Sequence, residues 1–132
     1  MVTIQWFPGH MSKARRQVQE NLKYVDFVVE LVDARVPMSS RNPMLSKIID
    51  RKPRIVALNK ADLADRVRVQ EWLDFFEKKG DVALAINSKE DYTSKRLTVA
   101  AKRLMADKIA HDLERGIQSK SLRTMIVGIP NA

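Results

Sequence analysis

A chain of 132 residues with a formal net charge of +8 and a pI near 10.0 is a single basic domain, residues 1–132, long enough to bury a core. It contains no cysteine, which excludes a disulfide framework and a thiolate metal site and fits a reducing cytoplasm. No apolar run approaches a membrane span, since even Phe27 to Val32 is interrupted by Glu30, and the start Met1 to Trp6 lacks the basic-then-apolar order of a secretory signal. The positive excess suits a polyanionic partner, because counterions released from a phosphate backbone favour binding. The plain alternative is that Lys and Arg only solubilise outer helix faces.

Taken in order, Trp6-Phe7-Pro8-Gly9-His10 mixes aromatics with Pro and Gly and reads as a loop. A helix is expected from about Met11 to Lys23, with Met11, Ala14, Val18, Leu22 and Val25 at helical spacing and Lys13, Arg16, Glu20 and Lys23 on another face. Phe27 to Val32 is a largely apolar strand, as in a sheet covered on both sides, and it ends at Asp33-Ala34-Arg35. Asn42-Pro43 opens a short helix, cap then proline, that turns Leu45, Ile48 and Ile49 inward.

Arg54 to Leu58 is the second strand. Asp65 caps the next helix, whose buried stripe is Val69, Trp72, Leu73 and Phe76, with Gly80 as terminator. Val82 to Ile86 is a third strand, and one long helix is expected from about Thr93 to Arg115, with Leu97, Ala101, Leu104 and Leu113 apolar. Gly116 to Ser121 is a basic linker, and a fourth strand near 124–128 precedes Gly128-Ile129-Pro130-Asn131-Ala132. Strands alternating with helices predict an α/β fold with a four-stranded parallel sheet. The loops after the strands then share one side of the sheet.

Three of those loops carry chemistry. Leu58-Asn59-Lys60-Ala61-Asp62-Leu63 follows an apolar strand and precedes a helix. An aspartate has only acceptors, so Asp62 can take guanine N1–H and N2–H₂ as a bidentate pair, which adenine does not offer. Asn59 can donate to N7, and the Lys60 stem can lie over the flat base. Asn, Lys and Asp are also ordinary turn residues, so the motif gains its force from its strand-loop-helix setting.

Asn87-Ser88-Lys89 comes one strand-helix unit later. There the Ser88 N–H can reach guanine O6 while Asn87 and Lys89 buttress the base, although Asn-Ser after a strand is common turn chemistry. Gly128 begins what could be the phosphate loop G-x-x-x-x-G-K-[ST], in which backbone N–H groups face phosphate oxygens. Its second Gly, its Lys and its Ser/Thr are not within residues 1–132.

Together these motifs, with Trp6 to Met11 and Asp33-Ala34-Arg35, resemble the circularly permuted GTPases, and most closely those that act in assembly of the large ribosomal subunit. Ordinary GTPases place the phosphate loop first and the guanine-reading motifs last, and here the order is inverted. The resemblance implies a parallel-sheet P-loop GTPase fold, circularly permuted and truncated within the phosphate loop, of which the chain covers about the first half, and by analogy with the GTPase order strand 124–128 is expected beside 27–32 with 82–86 at the far edge.

It further implies that Asn59, Lys60, Ala61, Asp62, Asn87, Ser88, Lys89, Gly128, Asn131 and Ala132 bind GTP. Mg²⁺ would be held mostly by residues outside the chain, and Asn131 stands where related GTPases help hold K⁺. His10 matches a histidine that takes over from the missing water-positioning glutamine. A neutral imidazole can orient water or accept its proton, whereas the alternative for His10 is a loop residue that supports the fold or touches RNA. His111 reads as a surface histidine. The implied partners are the large ribosomal subunit precursor, its rRNA and guanine nucleotide, with no membrane, in the cytoplasm. Lys13, Arg15, Arg16 and Lys23 form the basic patch expected to meet RNA.

A reading from a different class is a non-enzymatic, basic RNA- or ribosome-binding fragment. A Rossmann-type dinucleotide binder is disfavoured by the missing G-x-G-x-x-G.

Overall fold

The computed structural model describes residues 2–5, 11–41, 43–50, 52–87, 93–116 and 122–128. In chain order these form β1 (Val2–Gln5), α1 (Met11–Leu22), β2 (Phe27–Asp33), α2 (Pro43–Ile49), β3 (Arg54–Asn59), a 3₁₀ turn (Ala61–Leu63), α3 (Arg66–Lys78), β4 (Val82–Ala85), α4 (Thr93–Leu104), α5 (Ala106–Glu114) and β5 (Thr124–Gly128).

The strands make one sheet in the order β1-β5-β2-β3-β4, and every neighbouring pair is parallel. The four expected strands lie in the expected order, with β5 beside β2 and β4 at one edge. The fifth, β1, was not foreseen. It adds to the outer side of β5 with Ile4 opposite Val127 and Gln5 opposite Gly128. Its four residues are too few to show a period of their own, and only the edge of β5 makes them a strand.

The central strands are buried on both faces. On one side, Val28, Met125 and Val127 pack with Val18 and Leu22 of α1 and Leu45 and Ile49 of α2, while Val32, Val56 and Leu58 pack with Val69 and Phe76 of α3. On the other side, Phe27, Val29, Ile55, Ala57 and Val82 meet Ala100, Ala101 and Met105. Continuous apolar runs are what a doubly covered parallel sheet requires.

The helix ends follow local chemistry. The Asp65 carboxylate accepts from the N–H groups of Val67 and Arg68 at 2.9 and 3.1 Å, so the expected cap forms. Gly80 has φ +93° just after α3, a backbone that suits glycine at a helix stop. The cap expected of Asn42 lies outside the described residues, as does the linker at 117–121.

One expectation is corrected. The long helix predicted from Thr93 to Arg115 divides into α4 and α5 at Met105, whose φ and ψ are −99° and 11°. The bend buries Met105 and lets Ile109 pack on the same core, and it leaves Leu113 exposed. A straight helix satisfies its own ladder equally well, so the burial of Met105, not the local pattern, selects the bend.

Candidate functional site

The carboxyl ends of β2, β3, β4 and β5 lie along one edge of the sheet, where open α/β sheets bind ligands. The register brings the motif residues together: Asp33 is opposite Asn59, Leu58 is opposite Ala85, and Gly128 is opposite both Leu31 and Gln5.

The loop after β3 is built from the strand outward. Asn59 is buried, and its backbone carbonyl accepts from the Ala34 N–H at 2.8 Å, tying it to β2. Ile86 donates its N–H to the Leu58 carbonyl at 2.8 Å, and Ala61 donates to the Ile86 carbonyl at 3.1 Å, tying it to β4. Between these ties Lys60 adopts φ 60° and ψ 34°. A left-handed backbone costs a non-glycine residue roughly 1–2 kcal/mol, and among the described residues only Lys60 combines a side chain with positive φ. The 3₁₀ turn that follows carries Asp62, which is exposed and has no hydrogen-bond or ion-pair partner among the described residues. An unspent carboxylate at a strained, doubly anchored loop is suited to accept two donors from a ligand.

Asn87, half-buried, lies two residues past the end of β4, and its carbonyl accepts from the Thr93 hydroxyl at 2.7 Å. That bond holds together the two ends of the stretch containing Ser88 and Lys89, which themselves lie outside the described residues. So do His10, Asn131 and Ala132. Gly128 is described, at the end of β5. A Cβ built on it would stand 2.9 Å from the Leu31 carbonyl oxygen and 3.2 Å from Leu31 Cβ, so glycine permits the close approach of β5 to β2.

Asn59, Lys60, Ala61, Asp62, Asn87 and Gly128 are thus brought to one edge. Among the described residues no group of three or more His, Cys, Asp or Glu could hold a metal ion.

The sequence reading gave no role to Asp33. Its Oδ1 accepts the Arg35 backbone N–H at 2.9 Å and Arg35 Nε at 3.0 Å, and its Oδ2 accepts Arg35 Nη2 at 2.7 Å. The same Oδ2 lies 3.8 Å from Lys60 Nζ. The Arg35 guanidinium holds the Asp33 carboxyl below its ordinary value, against the upward push of burial, and Lys60 adds to the lowering. The position of Asp33-Ala34-Arg35 at a strand end, beside the strand that delivers Asn59, is the signal that could have marked it.

No protein-family model matches the chain. It is 52% identical over 131 residues to ribosome biogenesis GTPase A of Priestia megaterium and 51% identical over 130 residues to that of Bacillus cereus, alignments covering 98% of this chain in both cases. They cover 46% and 44% of those proteins, so the chain spans less than half the length of the curated relatives it matches. The crystal structure of GNP-bound YlqF from T. maritima superposes with a TM-score of 0.61 at 29% identity, covering 90% of this chain and 43% of that one. Sequence along almost its whole length and fold agree: the chain is a homologue of the ribosome biogenesis GTPase A proteins, across a stretch that makes up under half of each.

Proposed function

We propose that this chain supplies the guanine-reading loops of a circularly permuted GTP-binding domain, and that the whole protein is a cytoplasmic, GTP-hydrolysing assembly factor for the large ribosomal subunit. The observation that carries the reading is the anchoring of the loop after β3 to both β2 and β4, with Asp62 exposed at its tip. Asp62 accepts guanine N1–H and N2–H₂, Asn59 donates to N7, the Ser88 N–H meets O6, and Lys60 and Lys89 flank the base. Gly128, Asn131 and Ala132 open the phosphate loop. Asn131 also contributes to a K⁺ site, and Mg²⁺, when bound through ligands beyond this chain, would neutralise charge on the phosphates.

His10 orients the attacking water. In support, β1 ends at Gln5 beside Gly128, and His10 follows five residues later, within a span of about 17 Å of extended chain.

Asp62→Asn tests the base assignment in the chain carried through the remaining length of its relatives. GTP affinity should fall by roughly tenfold to a hundredfold while XTP, with a carbonyl in place of N2–H₂, gains. Unchanged GTP affinity and no gain for XTP would remove the loop from base reading. Residues 1–132 alone should show no GTP turnover, with or without K⁺, because phosphoryl transfer needs the phosphate-loop Lys and the metal. In the extended chain His10→Ala should lower kcat by about a hundredfold or more and leave GTP affinity nearly intact.

The basic surface favours an added RNA contact. Lys13, Arg15 and Arg16 on α1 and Lys23 just after it are all exposed. Affinity for rRNA fragments should fall steeply with salt, and removing each true phosphate contact should flatten that slope by a little under one unit. The same patch would serve a chain that binds RNA and hydrolyses nothing, and measured turnover separates the two.

A further inference from the structure

Asp33 ends β2 directly opposite Asn59, one residue before Lys60 on the neighbouring strand. Its carboxylate is locally locked: Arg35 donates to both oxygens at 2.7–3.0 Å, and the Asp33 N–H donates to Ser40 Oγ at 2.9 Å. Ser40, buried, is itself held by donating to the Pro37 carbonyl at 3.1 Å. The carboxylate therefore stands at a set place, and Lys60 Nζ approaches it to 3.8 Å from a left-handed backbone that carries the side chain back toward β2. Arg35 and Lys60 remain 48% and 31% exposed, so the cluster opens onto the ligand edge and seals no core.

We propose that Asp33 is a positioning residue for guanine-nucleotide binding, its carboxylate pinning the Lys60 ammonium so that the Lys60 stem is held ready over the base. The inference rests on Asn59 to Asp62 being the base-reading loop. A lysine stem fixed in advance loses less rotamer freedom when the base arrives, and preorganisation of that kind appears as affinity. The gain is equal for GDP and GTP, since the base is common to both.

The test is calorimetric titration of GDP, GTP and XTP into the extended chain, as wild type, Asp33→Asn, Lys60→Met, the double variant and Asp62→Asn. Asp33→Asn keeps size and one acceptor but removes the charge. It should weaken both nucleotides equally, by about two- to fivefold, with little change in melting temperature. The double variant should bind no more weakly than Lys60→Met alone, because the two residues act through one interaction. Wild-type affinity in Asp33→Asn, or additive losses in the double variant, would overturn the proposal while loss of GTP by Asp62→Asn leaves base reading intact. If Asp62→Asn neither loses GTP nor gains XTP, base reading falls and this proposal falls with it. Should Asp33→Asn not fold, Lys60→Arg decides: retaining the charge opposite Asp33, it should recover affinity lost in Lys60→Met, and no recovery overturns the assignment.

Discussion

Two carboxylates on the same strand, Glu30 and Asp33, each face two cations, and the pairs do different work. Glu30 accepts from Arg41 at 2.8 Å, from Arg54 at 3.3 Å and from the Ser46 hydroxyl at 3.0 Å, with its side chain 2% exposed and the two arginines 8% and 10% exposed. Arg41 also lies over the Phe76 ring of α3, 5.2 Å from its centroid. Asp33 faces Arg35 and Lys60, which are far more exposed, at the edge where the motif loops converge. Three residues along one strand thus separate a buried charge cluster from one that lies open at the edge. The lesson is that an ion pair's role follows from what surrounds it. A buried pair must satisfy itself, because no water will, whereas a pair at an open edge can leave a cation available to something else.

The largest effect should come from breaking the closed cluster. Glu30→Ala would leave Arg41 buried without its carboxylate and Arg54 with only Asp81 at 3.1 Å and Asp50 at 3.7 Å, and urea unfolding should show a loss of about 3–5 kcal/mol. If Glu30→Ala were instead no more costly to the fold than Asp33→Asn, the distinction between the clusters would fail.

Next comes the contact between the strands themselves. Gly128→Ala places a Cβ 2.9 Å from a backbone oxygen of β2, where neither partner is the end of a flexible chain. A loss of about 1–3 kcal/mol is expected, together with weaker nucleotide binding if Gly128 opens the phosphate loop as proposed. Unaltered stability would show that β5 and β2 can separate at no cost, against the view that the edge is rigid.

A smaller effect belongs to Asp65, whose carboxylate caps α3 just after the loop that follows β3. Asp65→Ala should cost about 1 kcal/mol in unfolding experiments and leave base selectivity unchanged.

The smallest concerns acid. At the opposite end of the sheet, burial pushes the Asp26 carboxyl up, but the Arg123 N–H at 2.8 Å and the Lys108 ammonium at 2.6 Å outweigh it and hold it below the ordinary 3.8. The folded chain then binds fewer protons than the unfolded chain just below pH 3.8, so this stabilisation is present above that value and is lost as pH falls through the lowered one. Asp33 behaves alike, with Arg35 as the main cause. Asp26→Asn should flatten part of the acid limb of a stability-versus-pH curve, and an identical limb would assign that limb to other carboxylates.

Much of this molecule is determined by its sequence alone. Apolar runs of strand length, the Asp65 cap, Gly80 after α3, and the Asn59 to Asp62 motif behind a buried strand are local, since each rests on neighbours within a few residues. Strand order also followed from the sequence, through the likeness of its motifs and their order to a known fold. The tertiary structure decided what depends on partners distant in the chain. Val2 to Gln5 becomes a strand only beside β5, more than a hundred residues later, and the break at Met105 comes from what the sheet buries there. The left-handed Lys60 is held through Ala61 by the carbonyl of Ile86, just past β4, and its charge is met by Asp33 across a strand boundary. Periodicity records which side of an element is apolar, but it carries no information about which charged side chain will face which. Register sets that, and register is a property of the whole sheet.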